Sequence, residues 1–164
     1  MQKLIKPSFG NDSYILSNQS DHYEISETQL EENIKYFRIY QISTIEDENF
    51  DGVKNKNISN FFGVTDIDDF THWFIIALTN NNKYYVIQKG KEGISITYFD
   101  DEDEAKNSVR ENYHYNDIYF MEEYEIHEKI NIKNIFDFVK NDYNLIDDNS
   151  QNFVRNILNH YYFK

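Results

Sequence analysis

Residues 72–79 read His-Trp-Phe-Ile-Ile-Ala-Leu-Thr, and no other stretch restricts the fold as much. Trp73, Ile75 and Ala77 alternate with Phe74, Ile76 and Leu78, so a strand here is apolar on both faces. A strand of that kind belongs inside a sheet with cover on each side. The apolar stretch from Trp73 to Leu78 is strand-sized, far short of the roughly 20 residues of a membrane-spanning helix.

The residues after this run read as more sheet. Asn80-Asn81-Asn82 predicts a turn, because Asn tolerates left-handed backbone geometry. Tyr84–Gln88 predicts a second strand, and Gly90 and Gly93 bracket another turn. Ile94, Ile96 and Tyr98 alternate with Ser95 and Thr97, as in a strand with one wetter face. The three segments together predict an antiparallel meander. Asp101 with Glu104 has the form of a helix-capping pair, and Ala105, Val109 and Tyr113 make one helical stripe behind it. Ile118–Ile126 predicts a further strand, with Ile118, Phe120, Tyr124 and Ile126 in alternation and Glu122, Glu123 and Glu125 suggesting an edge or a solvated end.

The C-terminal third predicts two helices. Ile132, Ile135, Phe136, Val139 and Tyr143 form one stripe, and Val154, Ile157, Leu158 and Tyr161 form the next, with Asp147-Asp148-Asn149-Ser150 as turn and cap between them. Toward the N-terminus, Tyr14-Ile15-Leu16 predicts a short strand, and Ser26-Glu27-Thr28-Gln29 predicts the cap of a short acidic helix running to about Asn33. Ile34–Thr44 predicts a strand, and Ile58, Phe61 and Phe62 could anchor a helical turn in the least readable stretch, residues 45–70. The expected architecture is α+β: an antiparallel sheet (a meander around 72–99 plus 118–126) packed against helices, with two C-terminal helices. One Pro and five Gly leave no composition for a long linker, so residues 1–164 are expected to form a single domain.

Charge narrows the function classes. Asp and Glu number 29 against 16 Lys and Arg, a formal net charge of −13. That balance disfavours direct nucleic-acid binding, which needs a basic face, and disfavours docking on anionic lipid. It suits steering toward a basic partner. The chain holds no Cys, and residues 1–7 lack the apolar stretch of a signal peptide, so a cytoplasmic location is expected.

Motifs that would carry catalysis are missing from the sequence. Gly-x-Ser-x-Gly, Gly-x-Gly-x-x-Gly, Gly-x-x-x-x-Gly-Lys and His-Glu-x-x-His do not occur. His22, His72, His114, His127 and His160 have no helical metal-site spacing, and Asp66-Ile67-Asp68-Asp69 lacks the ligand pattern of a calcium loop. The expectation is therefore a non-enzyme with no cofactor, no metal and no catalytic residues. The competing reading is a small hydrolase or metal-dependent enzyme using Asp or Glu with His72 or His114.

The acids can instead act together. Asp66, Asp68 and Asp69, then Asp100, Asp101, Glu102 and Asp103, then Glu122 and Glu123 fall in turns, at helix starts and on the suspected edge. With Tyr115 and Tyr119 as amphipathic anchors, these eleven residues are the expected partner-binding set. A DNA-mimic inhibitor is a further alternative, although it calls for carboxylates strung along an extended face.

The block from Trp73 to Tyr113 carries a resemblance. It contains Lys83-Tyr84-Tyr85-Val86-Ile87-Gln88 and Phe99-Asp100-Asp101-Glu102-Asp103-Glu104-Ala105. In size, acidity and this strand–strand–helix style the chain resembles the immunity proteins of contact-dependent inhibition and other polymorphic toxin systems. What the resemblance implies is tight binding to a cognate protein toxin, often a basic nuclease, by covering its active site or an adjacent surface. Immunity proteins differ widely in fold, so it assigns no individual residue a role.

Overall fold

The computed structural model describes residues 8–9, 12–18, 31–45, 70–90, 93–141 and 149–163. The run that is apolar on both faces is strand β4 (Thr71–Thr79), and it lies inside the sheet. In chain order the other strands are β1 (Ser8–Phe9), β2 (Asp12–Asn18), β3 (Ile34–Ser43), β5 (Tyr84–Gly90), β6 (Gly93–Phe99) and β7 (Ile118–Glu125). They are joined by helices α1 (Glu102–Arg110), α2 (Ile132–Asn141) and α3 (Ser150–Tyr161). The sheet order is β1-β2-β6-β5-β4-β3-β7.

Five strands, β6 to β7 across the sheet, pair antiparallel, and with the helices they form the expected α+β arrangement. The meander turns behave as their residues predict. Asn82 takes φ 60°, and Gly90 and Gly93 stand opposite each other at the β5–β6 reversal. The way β2 joins the sheet is not foreshadowed by the sequence. It lies parallel to β6, from Tyr14 opposite Ile94 to Asn18 opposite Tyr98, with β1 antiparallel outside it. Of the short acidic helix expected after Ser26, residues 26–30 lie outside the described residues. Residues 31–33 are not helical, and Asn33 bridges to Asn131. The turn expected around Ile58, Phe61 and Phe62 also lies outside them.

Both faces of β4 are buried, and by different means. Ile75 and Ala77, with Phe37, Ile39, Tyr85, Ile87 and Ile96 of neighbouring strands, pack on α2 and α3 through Ile132, Ile135, Val139, Phe153, Val154 and Ile157. Phe74 and Ile76, with Tyr40, Ile42 and Val86, pack on the opposite side against Ala105 and Val109 of α1. Aromatic rings, which bury the largest areas, contribute to both layers. Tyr40 stacks on Phe74 at 5.5 Å and Tyr85 tilts against Tyr98 at 5.4 Å.

α1 and α3 begin where their caps predict, and α2 has a cap pair that the sequence reading did not name. Asp101 accepts from the Glu104 amide at 3.3 Å. Asn149 accepts from the Asn152 amide at 2.8 Å. Asn131 and Asn134 cap each other, each side chain accepting from the other's amide at 2.8 Å. The start of α3 is fastened to β4. The register of β5 stops at Phe74, and the next β4 amide, Trp73, donates to Ser150 Oγ at 3.1 Å. The buried Gln151 amide donates to both the carbonyl and the hydroxyl of Thr71 at 2.9 Å.

Candidate partner-binding surface

Among the described residues β7 is the outermost strand next to β3, in keeping with the edge or solvated end that its glutamates suggested, but its faces are not the ones simple alternation predicts. Ile39 is opposite Glu122 while Tyr40 is opposite Phe120, so Met121 is an extra residue in the ladder. This bulge shifts the side-chain phase. Ile118 and Phe120 stay on the α1 side, where Phe120 meets the Tyr40 ring edge-on at 5.7 Å. Met121, Tyr124 and Ile126 pack on the α2–α3 side instead. The single face read from Ile118, Phe120, Tyr124 and Ile126 is therefore split in two. Glu123 returns to the α1 side, and there it meets Arg38.

Arg38 sits on β3 between two acidic elements. Its Nε donates to Glu123 Oε1 and its Nη1 to Glu102 Oε2, each at 2.8 Å. Tyr40 adds a hydroxyl donated to Glu102 at 3.2 Å. Burial and the Glu102 carboxylate both hold the Tyr40 phenol protonated, pushing its pKa above the ordinary range. One guanidinium fork thus fixes the start of α1 against β7.

The acidic run divides its work. Asp100 accepts from the Tyr98 hydroxyl and from Lys83 Nζ, which hold its carboxyl below the usual range. Asp101 caps the helix, and Glu102 is taken by Arg38 and Tyr40. Asp103 and Glu104 are exposed in the first turn, where the helix dipole favours negative charge. Of Asp100, Asp101, Glu102 and Asp103, only Glu102 is joined to Glu123, through Arg38, while the other three follow it only as chain neighbours. The bulge places Glu122 on the other side, among the residues lining a cavity below α3. Tyr119, opposite Gln41, is half-buried and alternates with Ile118 and Phe120, on the side of Glu122 and away from Glu102 and Glu123. Tyr115 lies past the far end of α1, 70 % exposed and held at φ +55°. Asp66, Asp68 and Asp69 lie outside the described residues.

Three features were missed by sequence reasoning. Arg38 was not singled out, since only the fold shows which acids flank it. Phe120 is 58 % exposed beside the acidic surface, whereas the sequence placed it only in alternation with Ile118, Tyr124 and Ile126. The third is a cavity of about 320 Å³ between β7, β4 and α3. Its walls include Trp73, Met121, Glu122, Tyr124, Arg155 and Phe163, and the Arg155 guanidinium lies 4.8 Å from the Trp73 ring. Trp73 was visible as a strand residue, but its pairing with a helix in the C-terminal third was not.

His72 is buried. Its Nε2 lies 2.8 Å from Gln88 Oε1, and its ring stacks on Tyr113 at 4.6 Å. Burial pushes its pKa down to about 4. Its contacts are an amide and aromatic rings, the environment of a neutral packing residue. His114 is exposed at φ +57°, and His160 stacks on Phe138 at 4.0 Å. Among the described residues no group of three or more His, Asp or Glu is placed to share a metal ion, and no helix is long and apolar enough to cross a membrane. Comparison with protein-family models, curated proteins and solved structures finds no match for this chain.

Proposed function

We propose that this chain is an immunity-type inhibitor, a cytoplasmic protein that binds and neutralises a basic toxin through its acidic surface. The observation that carries this reading is the Arg38 fork, which joins Glu102 of α1 and Glu123 of β7 at 2.8 Å. Acids from separate elements thereby become one fixed surface, with exposed Phe120 alongside. Preset charge of one sign speeds the encounter with a partner of the other sign, and an aromatic beside it supplies contact area. The same charge works against phosphate backbones, so the partner is protein rather than nucleic acid.

The test is co-expression with the product of the adjacent gene. The expected result is co-purification, rescue of growth, and an association rate that falls as salt is raised. Replacing Asp103, Glu104 and Glu123 by their amides should slow association while leaving the fold intact. A neighbouring product that is neither toxic nor bound would sink the proposal.

A further inference from the structure

The cavity of about 320 Å³ lies on the α2–α3 side of the sheet, away from the Arg38 fork. Two irregular features build it. The bulge in β7 gives two successive side chains, Met121 and Glu122, to one wall, where a regular strand would give one. Past the end of α3, the Phe163 amide donates to the Leu158 carbonyl at 3.0 Å, and the Phe163 ring meets Tyr124 edge-on at 5.5 Å. Trp73 from β4 and Leu158 from α3 complete an apolar interior. Glu122, Arg155 and Asn159 also line the cavity and are exposed, so it opens to solvent between them.

The charges at that mouth select among ligands. The Arg155 guanidinium lies 4.8 Å from the Trp73 ring and donates to the Asn152 side-chain oxygen at 3.2 Å. An aromatic ring and a neutral amide leave its positive charge without a counter-ion. Among the described residues no carboxylate pairs with Arg155, and nothing pairs with the Glu122 carboxylate. Unlike charges from α3 and β7 therefore face one cavity without joining each other. A purely anionic ligand would meet Glu122 and a chain of net charge −13, and a purely cationic one would meet Arg155. A ligand that carries both charges close together satisfies the two residues at once. A free α-amino acid does so on a single carbon. The volume is at the small end of the roughly 300–1,000 Å³ typical of ligand sites, which suits one large side chain. Aromatic walls beside Met121 favour an apolar one.

We propose that the cavity between β7 and α3 binds a free α-amino acid with a large apolar side chain. Its carboxylate rests on Arg155, its ammonium on Glu122, and its side chain against Trp73, Met121 and Tyr124. The site goes beyond the inhibitor reading and does not rest on it, because Arg38, Glu102 and Glu123 take no part.

Trp73 is the chain's single tryptophan and lines the cavity, so its emission reports filling directly. The full chain is titrated with L-phenylalanine, L-leucine and L-methionine, with the N-acetyl and the amide derivative of each, and with glycine. At least one of the three amino acids should shift Trp73 emission to saturation, and glycine should not. Acetylation removes the ammonium and amidation removes the carboxylate, and each should weaken binding by about tenfold, the loss of one charge-assisted contact. Glu122→Gln should erase the preference over the N-acetyl derivative, and Arg155→Gln the preference over the amide. Both side chains are exposed, so both variants should keep the fold, which thermal unfolding checks. Titration calorimetry reads the affinities of Arg155→Gln, since losing the guanidinium from the Trp73 ring alters the emission by itself. No saturable response to any of the three amino acids, a response that glycine shares, equal affinity for the free, acetylated and amidated forms, or preferences unchanged in both variants would overturn the proposal.

Discussion

The two sides of the sheet solve the same burial problem with different amounts of material. On one side α2 and α3 lie over β3 to β6, and Ile132, Ile135, Val139, Phe153, Val154 and Ile157 are all fully buried. On the other side α1, nine residues long, offers Ala105 and Val109 as its buried positions. That shorter cover leaves Tyr36 and Arg38 half-buried and Phe120 exposed at the margin. The heavily covered side therefore carries most of the buried apolar contact, and the lightly covered side has room for charge at its margin.

The comparison breaks first at the thick cover. Phe153→Ala should cost about 3–5 kcal/mol in chemical denaturation, whereas Val109→Ala on α1 should cost about 1–2 kcal/mol. Equal losses would mean that the two faces share the load.

The next effect belongs to His72, on the α1 side. Its pKa falls from an ordinary 6.5 to about 4 on folding, with burial as the cause and the Gln88 hydrogen bond opposing it. The unfolded chain therefore takes up a proton first as the pH drops. Stability present above pH 6.5 should be lost progressively down to about pH 4, by about 3 kcal/mol in all. His72→Leu should flatten that part of the stability–pH curve, and unchanged slopes in the two proteins would count against a buried neutral imidazole.

Two smaller changes at opposite ends of α1 should have opposite signs. Asp101→Ala removes the cap and should lower stability by about 1 kcal/mol. Tyr115→Gly relieves a left-handed aromatic that contributes little packing, and should raise the melting temperature by the equivalent of about 0.5–1 kcal/mol. A loss on Tyr115→Gly would show that its ring holds the turn in place.

The smallest effect on stability is expected at Arg38. The Glu123 side chain is 41 % exposed, so a double-mutant cycle of Arg38→Gln with Glu123→Gln should return a coupling below about 1 kcal/mol. The pair sharpens the comparison because its effect on partner association should exceed its effect on folding.

How much of the fold is legible in the sequence depends on how far each signal reaches along the chain. The caps at Asp101 and Asn149, the Asn80–Asn82 turn and the two-faced β4 run are settled by residues within a few positions of one another, and all were legible. The parallel seat of β2 beside β6 was not, because local periodicity marks a strand without naming its neighbour. The bulge at Met121 was equally hidden, since nothing in Phe120-Met121-Glu122 interrupts a strand pattern. The site suffered most from that loss. Asp100 to Asp103 could be foreseen as a charged helix start, but the link from Glu102 to Glu123 depends on Arg38, and the separation of Glu122 depends on one extra residue in a ladder.

The fastening of α3 to β4 also sets a schedule for synthesis. Ser150 Oγ and the Trp73 amide are 77 positions apart. At roughly 5–20 residues per second, a ribosome needs on the order of 4–15 seconds between making the strand and making the helix that covers it. During that interval the face of Ile75, Ala77 and Ile87 has no α3 to shelter it, and this nascent intermediate is where a trigger-type chaperone or an early aggregation event would find its substrate.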